Sequence, residues 1–189
     1  PFILGASTHP GEEKLLLNAY LRSRSSEKLK LFICPRHTER AKEIFKQSIN
    51  MGLKTQLLSN KTSDDFNVCI IDSTGLLPNF YASSSMSFVG GSLVPRGGHN
   101  LIEPAALGSP IILGTYTFNF EDIVQKFVDD EACIRVKNED ELLDAIELYA
   151  GDPNKANQYA SRAKKVVEAN KGSTEIQASY IINQLGEKN

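Results

Sequence analysis

The chain has 189 residues, 21 Lys and Arg against 23 Asp and Glu, a formal charge of −2 and 41% hydrophobic residues. A chain of that size can fold as one domain that buries roughly 70% of its unfolded surface, and its ordinary apolar and charged fractions exclude wholesale disorder and fibrous architectures. The near balance of charge gives no electrostatic ground for a nucleic-acid partner, and no stretch holds the ~18 unbroken apolar residues that a bilayer span needs.

Pro1-Phe2-Ile3-Leu4-Gly5-Ala6 enters an apolar run at once, without an initiator Met and without a charged-then-apolar leader, as a piece of a longer protein would. Phe2–Ala6 is the first of seven β-like runs. The others are Leu29–Cys34, Thr55–Leu58, Val68–Asp72, Ser87–Val89, Pro110–Leu113 and Ile134–Val136. Several are continuously apolar, as Val68-Cys69-Ile70-Ile71 is, which fits strands covered on both faces. Helical spacing fills the gaps: Leu15, Leu16, Ala19 and Tyr20, then Ile44, Phe45 and Ser48 within Arg36–Met51. Leu142, Leu143, Ile146, Tyr149 and Ala150 follow Asn138 and Glu141, which are placed as N-cap and N3. Pro153 begins a further helix with a stripe of Ala156, Tyr159, Ala160, Ala163, Val166 and Val167. Gly172-Ser173 is expected to break it before a last helix over Thr174–Leu185. The alternation predicts an α/β fold, a Rossmann-like parallel sheet with helices on both faces and a helical tail over about 152–189, all in one domain.

The three cysteines, Cys34, Cys69 and Cys133, lie far apart in apolar runs and read as small buried hydrophobes. In parallel sheets ligands gather beyond the carboxyl ends of the strands, and three post-strand segments carry unusual residues. In Val89-Gly90-Gly91-Ser92-Leu93-Val94-Pro95-Arg96-Gly97-Gly98-His99-Asn100-Leu101-Ile102-Glu103, four glycines within nine positions permit close approach of a ligand to the backbone. Gly97-Gly98-His99-Asn100 stands at a helix start suited to a phosphate. Glu103 suits the paired hydroxyls of a ribose. A plain Gly-rich turn, capped by His99 or Asn100, is the alternative. The segment is neither a Walker A loop nor a G-x-G-x-x-G fingerprint.

The second segment, Gly5–Glu13, offers Ser7 and Thr8 either to an anion or to the cap of the next helix, with Glu12 and Glu13 favoured in its first turn by the helix dipole. The third, Cys34-Pro35-Arg36-His37, places cations at a helix start, where a bound anion or base edge would account for them. All three histidines, His9, His37 and His99, fall in these segments without metal-ligand spacing such as HxxxH, so no metal site is expected. Asp129-Asp130-Glu131 reads as a solvated helix end.

GASTHPGEE (5–13), CPRHTER (34–40) and FVGGSLVPRGGHNLIEPAALGSPIILG (88–114) resemble the carboxyl-terminal half of 3-deoxy-D-manno-octulosonic acid (Kdo) transferases, across most of the chain. That family usually carries STHEGEE in the first motif, so Pro10 departs from it. The resemblance implies a two-domain GT-B glycosyltransferase on the cytoplasmic face of the bacterial inner membrane. Such an enzyme moves Kdo from CMP-Kdo to the lipid A precursor in lipopolysaccharide biosynthesis, with inversion and without a metal ion or other cofactor.

By the same resemblance the acceptor, the membrane contact and the general base belong to an amino-terminal domain absent from this sequence. This chain alone is therefore expected to bind donor and transfer nothing. Carried over by position, Pro35 and Arg36 would lie at the cytosine with His37 beside them, and Glu103 at the ribose. Gly91, Ser92, Gly97, Gly98, His99 and Asn100 would lie near phosphate and sugar, with Ser7 and Thr8 facing the same cleft. A GT-B enzyme using a UDP-sugar and a non-catalytic nucleotide-binding module are the competing readings.

Overall fold

The computed structural model describes residues 1–60 and 63–186, and from residue 171 onward it is the helical course of the backbone that is described. Seven strands form one sheet: β1 (Phe2–Thr8), β2 (Lys30–Pro35), β3 (Thr55–Leu57), β4 (Val68–Ile70), β5 (Met86–Val89), β6 (Ile111–Leu113) and β7 (Ile134–Arg135). Each matches an expected β-like run to within two residues at either end. All neighbours are parallel, in the order β3-β4-β2-β1-β5-β6-β7.

Seven helices join them: α1 (Glu12–Arg22), α2 (Ala41–Asn50), α3 (Leu77–Ser83), α4 (Ile102–Ala106), α5 (Glu121–Asp129), α6 (Glu139–Gly151) and α7 (Pro153–Gly186). Successive strand residues point to opposite faces, and the core divides accordingly. Ile3, Leu31, Ile33, Ile70, Phe88 and Ile112 pack against α1, α2 and α6. On the other face Val89, Ile111 and Leu113 meet Ala105 of α4, Phe127 of α5 and Ala163 and Val167 of α7. There Leu4, Ala6 and Ile71 meet Tyr81 of α3. Both faces are thus covered, which is why the strands read as unbroken apolar runs.

Asn138 caps α6 as its spacing predicts, its side chain accepting from the Glu141 amide at 2.9 Å. Two expectations give way. The helix expected from Arg36 starts later, after a single 3-10 turn at Thr38–Arg40, because the Arg36 amide still donates to the Thr8 carbonyl (2.9 Å) in continuation of the β1–β2 ladder. And α7 runs through Gly172-Ser173 unbroken: one glycine costs about 1 kcal/mol relative to alanine inside a helix, which a helix of this length absorbs. Residues 187–189 of the expected tail lie outside the described residues. Among the described residues no helix is long and apolar enough to cross a membrane.

The topology fixes where a ligand can sit. From β1 the chain builds outward through β2 to one edge of the sheet, then returns to lay β5 on β1's other side. The connections leaving β1 and β5 therefore part company above the sheet and leave a crevice at their carboxyl ends.

Candidate functional site

The three expected segments converge on that crevice. The Arg36 amide reaches the Thr8 carbonyl, the rings of His9 and His37 stand 6.1 Å apart, and Nε2 of His9 lies 3.0 Å from Nε2 of His99. Within the glycine-rich segment the Gly98 amide donates to the Gly91 carbonyl at 2.7 Å, folding the loop back on itself.

Glu12 holds this arrangement together. Its fully buried carboxylate accepts from four backbone amides: His9 (2.9 Å) and Gly91 (2.7 Å) at Oε2, Ser92 (3.0 Å) and Leu93 (2.9 Å) at Oε1. Burial raises the Glu12 pKa, while the amides of Gly91, Leu93, His9 and Ser92 act against the rise. A favourable dipole was all the sequence assigned to this residue, yet it ties the loop after β1 to the loop after β5. Its neighbour Glu13, also buried, pairs with Arg40 at 2.5 Å and so fixes the start of α2. Gly90 completes the junction, since a methyl group there would run into the Ser7 carbonyl and the Thr8 Cα.

The expected ligand-facing residues are placed as follows. Pro35 is buried as the last residue of β2, and Arg36 and His37 beyond it are exposed. Ser7 adopts φ 51° at the end of β1. Thr8 is 1% exposed, and its hydroxyl has no hydrogen-bond partner among the described residues. Neither caps α1, whose start is Gly11 with no side-chain cap.

Ser92 departs from expectation. Its amide goes to Glu12, its hydroxyl donates to the Val89 carbonyl and accepts from the Gly114 amide, and its carbonyl takes the Tyr116 amide, so it braces the loop from beneath. The phosphate cradle expected at 97–100 is also partly used by the chain. Besides the Gly98 bond, Asn100 Oδ1 accepts from the Ile102 amide at 2.9 Å, the capped turn offered as the alternative, and α4 has only five residues. No such internal bond involves the Gly97, His99 or Asn100 amides among the described residues. The cationic side chains that bear on this loop are those of Arg36 and Arg96. Glu103 is exposed in the first turn of α4. Burial raises the pKa of Tyr81, and Glu103 and Cys34 add to the rise.

His9 and His99 lie edge to edge. Their rings are 9° from coplanar with centroids 5.2 Å apart, the spacing that an in-line N–H···N bond of 3.0 Å produces. Gly91, at φ 68°, makes room for them: a methyl there would stand 3.3 Å from His99 Nε2 and 3.4 Å from His9 Cδ2. Burial, followed by the positive surroundings of His99, Arg96, His37 and Arg36, pulls the His9 pKa down to about 4. His99 is lowered by burial and by Arg36. Among the described residues no group of three or more His, Cys, Asp or Glu side chains is arranged to hold a metal ion. The cysteines form no disulfide, and burial pushes the thiols of Cys34 and Cys133 up, the latter to about 12.

Sequence reading missed the loop after β6. The Asn119 amide donates to the Gly97 carbonyl (3.1 Å), its side chain to the Arg96 carbonyl (3.1 Å), and Arg135 clamps the loop through Thr115 and Thr117. Its position beyond a strand end at the crevice was the available signal. A groove of about 420 Å³ opens at the opposite end of the sheet, between Lys28, Ser84, Pro110, Tyr149 and Pro153, far from these residues.

Comparison with known proteins gives consistent matches. The model of the family described as Glycosyl transferases group 1 matches residues 13–166. The 3-deoxy-D-manno-octulosonic acid transferase of Aquifex aeolicus (strain VF5) is 34% identical over 181 residues, 95% of this chain and 47% of that protein. The transferase of the same name from Haemophilus influenzae is 31% identical over 92% of this chain and 42% of its own length. The chain thus spans about half the length of these relatives. Among solved structures, the C-terminal CMP-Kdo binding domain of WaaA from Acinetobacter baumannii superposes with a TM-score of 0.82 at 33% identity, covering 88% of each chain.

Proposed function

The chain belongs to the group 1 glycosyl transferases, and we propose that it is the donor-binding half of a Kdo transferase of lipopolysaccharide biosynthesis, a GT-B enzyme that takes Kdo from CMP-Kdo. One observation carries this reading. Residues from three separate segments meet at the carboxyl ends of β1, β2 and β5, where His9, His37 and His99 gather with Arg36 and Arg96, and Glu103 is exposed in the first turn of α4. Arg36 and Arg96 suit the phosphate, Glu103 suits the ribose hydroxyls, and Pro35, Arg36 and His37 form the wall for the cytosine. Ser7, Thr8, Gly91, Gly97, Gly98, His99 and Asn100 shape the space between.

As the glycosidic bond breaks, the CMP phosphate gains negative charge. Arg36, Arg96 and the unbonded loop amides stand ready to stabilise it, which removes the need for a metal ion or other cofactor. The acceptor hydroxyl must lose a proton to a base within hydrogen-bond reach. That base, the binding of the lipid A precursor and the contact with the cytoplasmic face of the inner membrane are assigned to the portion of the full-length protein beyond this chain. Inversion at the anomeric carbon follows from a single displacement.

Calorimetry tests this directly. The purified chain should bind CMP in preference to UMP and UDP, and a preference for the uridine nucleotides would instead favour an enzyme using a UDP-sugar. With CMP-Kdo and a lipid A precursor the same preparation should show donor binding and no transfer. Turnover by this chain alone would refute the division of labour.

A further inference from the structure

We propose that His9 and His99 act as one proton-sharing unit that takes up a single proton when the nucleotide phosphate enters the crevice. The inference rests on the donor-binding reading above and adds to it which groups respond to the phosphate, and how.

The geometry defines what the pair can hold. An in-line Nε2···Nε2 contact of 3.0 Å between coplanar rings needs one proton between the two nitrogens. With both rings neutral, one ring donates from Nε2 and keeps a bare Nδ1, while the other accepts at Nε2 and carries its proton on Nδ1. One further proton, drawn from solvent, can settle on the bare Nδ1. The bond survives, both Nδ1 atoms become donors, and the pair carries a single positive charge. A second added proton would have to break the contact. The pair is therefore a one-proton device that gains a donor as it gains a charge, the change that a phosphate oxygen rewards.

Its surroundings hold it in the uncharged state until an anion arrives. Arg36 and His37 bear on it from the loop after β2 and Arg96 from the loop after β5. On the acidic side stand Glu12 of α1, engaged by four amides including that of His9, and Glu103 of α4, four residues beyond His99 in the chain. The positive neighbours and burial oppose protonation, and a phosphate among them reverses the balance. One unit of charge about 4 Å away, at an effective dielectric near 20, changes proton affinity on the order of a thousandfold. The architecture guards the pair as well. Glu12 anchors the His9 amide and Gly91 leaves the space beneath the two rings, so the loops after β1 and β5 meet through this bond.

Titration of the 189-residue chain with CMP, in buffers of different ionisation heat between pH 7.0 and 8.0, reads the proton count. Binding should take up about half a proton at pH 7.0 and progressively less towards pH 8.0, with affinity falling roughly twofold over that range, while cytidine should bind without uptake. His9→Asn and His9→Gln should each bind CMP more weakly and without uptake. Histidine ¹⁵N spectra of the ligand-free chain should show one shared Nε2 proton, lost in both His9 variants. CMP binding without proton uptake, or unchanged uptake in the His9 variants, overturns the proposal and leaves the donor-binding reading standing. Absence of CMP binding overturns both, and unchanged thermal melting of the variants excludes misfolding as the cause of lost uptake.

Discussion

At the scale of single residues, function and architecture fall to two glutamates of opposite character. Glu103 is exposed and available. Its replacement by alanine should weaken CMP binding by about 1–3 kcal/mol, the worth of charge-assisted bonds to ribose hydroxyls, with an unaltered melting temperature. Equal affinity of Glu103→Ala and the parent in a calorimeter would return it to an ordinary helix position. Glu12 is sealed, with four amides on its two oxygens. Glu12→Gln turns one oxygen into a donor facing other donors, and each orphaned buried amide costs about 1–3 kcal/mol. Urea unfolding should therefore show a loss of at least about 2 kcal/mol, together with weakened CMP binding as the two loops separate. No spacing rule reveals such a tie, because its partners lie about eighty positions away along the chain.

At the scale of elements, the junction of β1 with β5 is the sensitive place. Gly90→Ala would drive a methyl into the backbone of Ser7 and Thr8. Overpacking of that kind costs about 1–3 kcal/mol, so a lowered denaturation midpoint is expected, whereas Gly52→Ala would meet nothing within 4 Å and carries only the strain of φ 83°. All seven strands were readable from sequence because burial on both faces leaves little room for polar residues in them. Short or interrupted elements were harder. The seven residues of α3 hold too few turns to display a period, α2 lost its first turn to the continued β1–β2 ladder, and α7 passes through a glycine that local propensity alone takes for a stop. In the site, the residues rich in chemistry announced themselves, whereas the loop after β6 did not. Its part is played through the backbone amides of Tyr116 and Asn119, which any sequence could supply, and through one Asn119 side chain that braces the Arg96 carbonyl.

At the scale of the whole molecule, the half-buried histidine pair couples the site to acid stability. The His9 pKa lies at about 4 in the fold against an ordinary 6.5. Between those values the unfolded chain binds the extra proton and the native one does not, so stability falls as pH drops through that window. Melting temperature should therefore decline from pH 7 towards pH 5, before most carboxylates titrate, and His9→Asn should flatten the decline. An equal slope in both proteins would place the acid sensitivity elsewhere.

The central position of β1 has a consequence for how the protein is made. Among these seven strands β1 leaves the ribosome before the others, yet the neighbour on its far side, β5, begins only at Met86. At translation rates of about 5–20 residues per second, that edge stays without its neighbour for on the order of 4–16 s. An unpaired apolar strand edge invites pairing with a stranger, so nascent chains crowded on one messenger face their greatest risk of aggregation in the interval before Val89 emerges, and chaperone occupancy should peak there.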